Sequence, residues 1–377
     1  MSRPARILLL NERDPLHPKA GGAEVHVAEI GRRLVGRGHA ITQLAVSFPG
    51  APASEQVAGM AVRRLGGMLR YYATIAPTVA RETRRGRFDV VVEHLNKVPF
   101  CAAAYAAVPV IAVNHHLFGR SAFLQVSWPI ALGVVAIEQL VPHVYRRARL
   151  LAVSPSSRDD LVRRGLRDQE IGLVYNGITP PTLPPTPMAH RPLRVAYLGR
   201  LEPYKRVDQL LRAVSSLVHR FAHLELLVVG RGSEQPRLAA LAHELGIGAR
   251  CHFAGFVPDT ERDRLLASAR VCVCPSVKEG WGITVVEANA LGVPVVATDA
   301  PGLRDAVRHG ETGLLVPDAE PRNFARGLAG AIETLLSNDE LAARLAEQAR
   351  AWSRSFTWDS AADAMEAAVA DALGTRP

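Results

Sequence analysis

Cysteine is scarce: Cys101, Cys251, Cys272 and Cys274 are the only four in 377 residues. So few thiols exclude a disulfide framework, and Cys272-x-Cys274 without a second pair or nearby histidines is a poor metal site. They read as small buried hydrophobes in a reducing compartment. No D-x-D occurs, and no His, Asp and Glu group shows ligand spacing along the chain, so no metal is expected. Long apolar runs are also missing. The most hydrophobic stretch, Ser121–Ile137, carries Pro129 and ends at Glu138, short of a membrane span. After Met1 the chain enters a strand-like segment at once, with no secretory leader in view, so a cytoplasmic location is expected.

Acidic residues are scarce in one half only. Residues 1–190 hold 23 Lys and Arg against 13 Asp and Glu; residues 191–377 hold 22 against 23. The net charge of +9 therefore belongs to the first half, in clusters such as Arg63–Arg64, Arg81/Arg84/Arg85/Arg87, Arg146/Arg147/Arg149 and Arg163–Arg164. Two readings stand open: a solvated basic face, or a surface for an acidic partner such as an anionic membrane or a phosphate-bearing acceptor. No helix-turn-helix, aromatic ribonucleoprotein motif or zinc finger supports nucleic acid.

At this length two cores are expected. RILLL from Arg6 is followed by a glycine loop and a helical pattern, Ala23–Arg37. HAITQLAV, FDVVVEH, VPVIAVNHH and RLLAVS then read as strands. Continuous apolar strands alternating with helices predict a parallel sheet covered on both faces. Residues 179–192 hold six prolines in fourteen positions and read as a stiff linker. Beyond it LRVAYLG, LELLVVG, RCHFAG, VCVCPS, VPVVAT and GLLVP are strands, separated by helical patterns such as Val207–Ala222 and Glu234–Gly246. The expected fold is α/β, with two doubly wound Rossmann-like domains, 1–180 and 193–355, facing a central cleft. Residues 356–377 form a last amphipathic helix with Trp358, Met365 and Val369 at helical spacing.

The densest signal is PSVKEGWGITVVEANALGVPVVAT. Glu279 falls in a glycine-rich loop and Glu287 about one turn into a helix predicted over Ile283–Leu291. Backbone N–H groups at such a helix start suit a phosphate, while the carboxylates suit sugar hydroxyls. Arg200 and Lys205, in GRLEPYKRVDQLL after a strand, read either as a solvated basic loop or as cations for a diphosphate. Gly21 and Gly22 permit a tight turn or close approach of a ligand to the backbone. His115 and His116 end a strand as a structural pair or as reactive groups, and Asn176–Gly177 reads as a turn.

Together these residues resemble the donor site of retaining glycosyltransferases of family 4, which have the GT-B fold. The matches are PS-x-x-EGWG, E-x7-E, GR-x4-K, and GGAE-x-x-V running to Gly38–His39. The resemblance implies a metal-independent enzyme without cofactor, moving a hexose-type sugar from a UDP- or GDP-sugar to a hydroxyl acceptor. Glu279 would orient the donor sugar, Glu287 hold the ribose, and Arg200 and Lys205 stabilise the leaving diphosphate. His115 would contact the sugar near the anomeric carbon. Further donor contacts are implied from Gly21, Gly22, Gly199, Gly230, Val257, Gly280, Trp281, Gly282, Ile283 and Thr284. The resemblance also carries the terminal helix back onto the first domain. His116, Trp281, Asn289 and Pro301–Gly302 depart from the family pattern, which leaves donor identity open. A nucleotide-sugar epimerase of similar architecture and a polyanion- or membrane-binding protein without catalysis are the alternatives. Peripheral contact of the basic half with the inner membrane face goes with the amphiphilic acceptor that Phe118, Phe123 and Trp128 would suit.

Overall fold

The computed structural model describes residues 3–96, 98–124, 127–184 and 186–374. Gln125 and Val126 of the apolar stretch, Pro185 of the proline segment and the last three residues of the terminal helix region lie outside them. The chain divides into two compact units, Met1–Gly177 with Thr357–Pro377, and Ile178–Phe356.

The first unit begins with β1 (Arg6–Leu10), α1 (Gly22–Gly36), β2 (Ala40–Ala45), β3 (Ser54–Val57), β4 (Met60–Arg64), α2 (Met68–Arg84) and β5 (Val90–Leu95). It continues with β6 (Val110–Asn114), α3 (Trp128–Glu138), α4 (Val141–Val144), β7 (Arg149–Ala152), α5 (Pro155–Arg163) and β8 (Ile171–Leu173). The eight strands lie in the order β3-β4-β2-β1-β5-β6-β7-β8. All neighbours pair in parallel except β3 with β4. That hairpin turns at Ala58 and Gly59, both at positive φ, as a two-residue turn matching strand twist requires. Ala-Gly is a weak turn signal, so neither the hairpin nor the three-residue β8 was legible in the sequence.

Val27, Ile30 and Leu34 of α1 are buried against the sheet, each contributing about 1.5–3 kcal/mol of apolar burial. The terminal helix α13 (Trp358–Ala372) packs on α1 in the same unit, through the buried Trp358, Met365 and Val369. Arg33 meets Asp359 at 2.7 Å, and Arg37 meets Asp363 at 2.7 Å and Glu366 at 2.6 Å. In the apolar stretch only Trp128 onward is α-helical, and no helix among the described residues is long and apolar enough to cross a membrane.

The second unit contains β9 (Arg194–Leu198), α6 (Val207–Leu217), β10 (Glu225–Val229), α7 (Gln235–Glu244), β11 (Cys251–Gly255), α8 (Asp259–Ala267) and β12 (Val271–Cys274). It ends with α9 (Ile283–Ala290), β13 (Val295–Asp299), α10 (Leu303–Ala306), β14 (Gly313–Pro317), α11 (Pro321–Ser337) and α12 (Asp339–Ser353). Its sheet is wholly parallel, in the order β11-β10-β9-β12-β13-β14. Val207, Leu210, Leu211 and Val214 on one stripe of α6 pack in a single core with Phe324, Leu328 and Ile332 of α11. The proline segment belongs to this unit and is anchored at its end. Met188 is buried, and the Arg191 guanidinium donates to the carbonyls of Thr186 and Ala269 at 3.0 and 2.9 Å. Burial, with Arg270 nearby, lowers the Arg191 pKa to about 10. Cys272 and Cys274 are buried, Cys101 and Cys251 half-buried, and all four are free.

Candidate active site

Parallel strands deliver the segments that follow them to one edge of the sheet, and the strand order of the second unit reverses between β9 and β12. That reversal is where doubly wound sheets open a crevice for ligands. The β9–α6 segment brings Arg200 and Lys205 there, and the β12–α9 segment brings Glu279. Lys205 Nζ donates to Glu279 Oε1 at 2.5 Å, with the two side chains only 13% and 20% exposed. Burial alone would lower the Lys205 pKa, but the Glu279 carboxylate outweighs it and raises the value. The ammonium is thus held charged beside a carboxylate that fixes its position. Arg200 is exposed and donates to the Tyr204 hydroxyl at 2.8 Å. The Tyr197 hydroxyl donates to the Arg200 carbonyl at 2.8 Å within the first segment, and the Val277 amide donates to the Tyr204 carbonyl at 3.0 Å, tying the two segments together.

The backbone around Glu279 is braced from β13–α10. The Glu279 amide donates to the Pro301 carbonyl at 3.1 Å. Gly302 has φ +80°, and a Cβ there would lie 2.3 Å from the Glu279 carbonyl oxygen. Pro301–Gly302, a departure from the family pattern in the sequence, is a buttress under the Glu279 loop. Gly230 has φ +131°, and a Cβ there would lie 1.9 Å from the Gly199 carbonyl oxygen. Glycine is needed at that strand-to-helix turn so that the segments after β9 and β10 can pack backbone on backbone.

Gly282 is the N-cap of α9, and Gly282 and Thr284 stand at the helix's positive end, where first-turn amides have no partner inside the helix. The Ile283 amide instead turns back on the Trp281 carbonyl at 2.9 Å. The Trp281 ring is buried against Phe356, with centroids 4.9 Å apart. Val257 follows β11 and is half-buried, beside an exposed Phe256 that carries the Arg231 guanidinium over its ring. Glu287 lies 3.2 Å from Arg262 of α8. Burial pushes its pKa up to about 7; Arg262 pulls the value down, and Asp263 and Asp259 push it up. Arg262 had no signal in the sequence, since ERDR on a helix reads as a solvated face.

In the first unit the strand order reverses between β1 and β5. Asn96 Nδ2 donates to Asn11 Oδ1 at 2.9 Å across that point. Gly21 caps α1, but its amide is already taken by Glu24 Oε2 at 2.7 Å, so the first-turn amides beyond Gly21 are the ones left for a ligand. His115 follows β6 and is only 4% exposed, its Nε2 2.9 Å from Nδ1 of His94. His26 of α1 packs edge-on against both rings. Asn176, expected in a turn, is buried, and its Oδ1 lies 2.7 Å from Nδ1 of His26. Positions 26, 94 and 115 come from three elements, so no spacing rule could have joined them.

Known proteins share this plan. Residues 20–180 match the Glycosyltransferase Family 4 model, and residues 184–352 match Glycosyl transferases group 1. D-inositol 3-phosphate glycosyltransferase of Rhodococcus jostii (strain RHA1) is 31% identical, over 97% of this chain and 88% of its own. GDP-mannose-dependent alpha-(1-6)-phosphatidylinositol monomannoside mannosyltransferase of Mycobacterium tuberculosis (strain CDC 1551 / Oshkosh) is 30% identical, over 95% of this chain and 96% of its own. Among solved structures, sucrose-phosphate synthase from Thermosynechococcus elongatus superposes with a TM-score of 0.81 at 22% identity, over 99% of this chain and 100% of its own. HepE of Anabaena, in complex with UDP and glucose, gives 0.75 at 22%, over 97% and 100%. With both halves matched and relatives aligned along nearly the whole length, the chain is a glycosyltransferase of the GT-B fold and belongs to glycosyltransferase family 4.

Proposed function

We propose that the protein transfers a hexose from a nucleoside diphosphate sugar to a hydroxyl acceptor, with retention of anomeric configuration and without a metal in the transfer step. The observation that carries this is the Lys205–Glu279 pair at the strand-order reversal of the second unit, with Arg200 on the same segment as Lys205 and the α9 amides after Glu279. In this reading Lys205, Arg200 and the amides of Gly282 and Thr284 receive the diphosphate, while Glu279 accepts from the sugar hydroxyls. Glu287, steadied by Arg262, accepts from the ribose diol. The acceptor oxygen bonds to the anomeric carbon on the face from which the diphosphate leaves. The carbon–oxygen bond to the β-phosphate breaks, and the acceptor proton passes to that phosphate oxygen. Each preorganised cation or amide is worth about 3 kcal/mol to the departing charge.

The donor is a GDP- or UDP-sugar, in keeping with the GDP-mannose-dependent mannosyltransferase relative and the UDP-bound fold neighbour. The acceptor class proposed is a phosphate-bearing polyol, free or lipid-linked, in keeping with the inositol phosphate relatives. For the first unit we propose the first-turn amides of α1 and His115 as sugar or acceptor contacts. Peripheral contact with anionic membrane through this basic unit is also proposed.

A thermal-shift panel of UDP-, GDP- and dTDP-sugars should identify one donor, because only binding to the folded state raises the midpoint. With that donor, product analysis should find a new glycoside of unchanged anomeric configuration, at a rate unaffected by excess EDTA. The double variant Arg200→Ala, Lys205→Ala should lose at least 10²-fold in kcat, as order of magnitude, while keeping its fold. Wild-type turnover in that variant would remove the mechanism.

A further inference from the structure

We propose that His26, His94 and His115 form a binding site for one divalent transition-metal ion, zinc foremost, with a structural rather than catalytic role in the first unit. One ligating nitrogen from each ring lies within 4.8 Å of the others, and all three residues are buried. Two imidazole nitrogens on one tetrahedral ion, each about 2.0–2.1 Å from it, stand roughly 3.3 Å apart. His94 Nδ1 and His115 Nε2 are 2.9 Å apart in a hydrogen bond, which the ion would replace at a slightly wider span. The third ring, from α1, needs to approach by about 1.5 Å by the same arithmetic, from the 4.8 Å limit to that span.

Three further observations point to an ion rather than to a merely packed trio. His26 Nε2 is buried, and no hydrogen-bond partner reaches it among the described residues. An orphaned acceptor of this kind is costly unless something fills it. Its other nitrogen, Nδ1, is 2.7 Å from Asn176 Oδ1, an amide oxygen that can only accept. That bond fixes the proton on Nδ1 and leaves the Nε2 lone pair bare, which is the outer support a metal-binding imidazole usually has. Burial drives all three pKa values down, that of His26 to about 4, so the rings are neutral ligands near pH 7. Three neutral nitrogens suit zinc, cobalt, nickel or copper and not magnesium or calcium. A fourth position would go to water.

The ion would hold His115, which is also proposed as a sugar or acceptor contact, so turnover would not separate the two roles and the test reads metal binding instead. The full chain, refolded in chelator to remove metal, is titrated with Co²⁺ as a spectroscopic stand-in for Zn²⁺. The expected result is one equivalent bound, visible bands of a four-coordinate nitrogen-ligated ion, no thiolate charge-transfer band, and a higher unfolding midpoint with Zn²⁺. His26→Gln should abolish the bands. Because that variant touches a buried cluster, Asn176 provides a second lever. Asn176→Ala should weaken binding by about 10–100-fold, and Asn176→Asp should tighten it, since a carboxylate makes the ring more basic toward the metal. The proposal is overturned if wild type gives neither bands nor a midpoint shift. A thiolate band would assign the ion to Cys272 and Cys274 and also overturn it. So would binding that is indifferent to Asn176 substitution, which would place the ion on other histidines.

Discussion

Single residues in this protein are set by which charge or lone pair the surroundings leave without an answer. Glu287 is the clearest case. Its pKa near 7 means that the carboxylate proposed to accept from the ribose is about half protonated at neutrality. Donor binding that needs the ionised form should weaken as pH falls below 7, by about tenfold per unit, and flatten above 8. Calorimetric titration of the nucleoside diphosphate across pH 5.5–8.5 (a window chosen about that pKa) checks this. Glu287→Gln should bind weakly with no such slope. Asn289 is the opposite case, a polar group with nothing to do. It is fully buried on α9, and neither its amide nitrogen nor its oxygen has a hydrogen-bond partner among the described residues. Asn289→Leu removes a desolvation cost of about 1–3 kcal/mol at similar volume, so it should raise the thermal midpoint and leave kcat unchanged. A lower midpoint would mean that the amide is satisfied after all. The sequence showed Asn289 as a departure from its family. Only the fold shows that the departure carries a stability cost.

At the scale of elements, most of what positions the site was legible. The apolar run of β1 was bounded residue for residue and that of β12 ran two residues long, and α1, α6, α7 and α9 were found with ends shifted by a few residues, as frayed helix termini allow. The loops carrying Lys205 and Glu279 could be picked out because residue type and spacing mark them, and the fold brings the two side chains together. Arg262, His26, His94 and Asn176 could not, because each acts across elements that only the sheet order makes neighbours. Packing α1 over β5 and β6 has a pH consequence. His26 titrates near 4 in the folded chain and near 6.5 once unfolded. Between these values the unfolded state binds more protons, so this contribution is present above pH 6.5 and is lost as pH falls through 4. The loss for His26 alone is about 3 kcal/mol, and His94 and His115, lowered first by burial and then by the repulsion that nearby imidazoles would exert once protonated, add in the same direction. Denaturant melts of metal-free wild type and His26→Gln at pH 4.5 and 7 should therefore differ in slope with pH. Parallel curves would show that the ring is not buried neutral.

For the molecule as a whole, fewer arginines of the first half face solvent unpaired than its sequence clusters suggest, because the fold sets many of them against carboxylates. Arg64 is buried between Asp14 and Glu55, at 2.8 and 2.5 Å. Arg63, Arg81 and Arg87 all face the buried carboxylate of Glu82. Arg164 meets Glu138, whose carboxylate also accepts from the Phe118 and Gly119 amides. What remains outward is narrower: Arg84, Arg85, Arg146 and Arg147 are exposed with no ion pair among the described residues. Near the last two in the chain, α3 leaves Trp128 71% exposed, with Ile130 and Leu132 also turned to solvent. An interfacial tryptophan with basic residues nearby suits an anionic bilayer surface, where each Lys or Arg adds about 1 kcal/mol and salt screens the effect within about 10 Å at 0.1 M. Flotation with phosphatidylglycerol vesicles should recover the protein, phosphatidylcholine alone should not, and 0.5 M salt (several times about 0.1 M) should release it. Arg146→Ser with Arg147→Ser should cut the vesicle affinity by about 10–30-fold, and Trp128→Ser should weaken it further at high salt, where only the apolar contribution survives. Equal recovery with neutral and anionic vesicles would confine the outward arginines to the role of a solvated face.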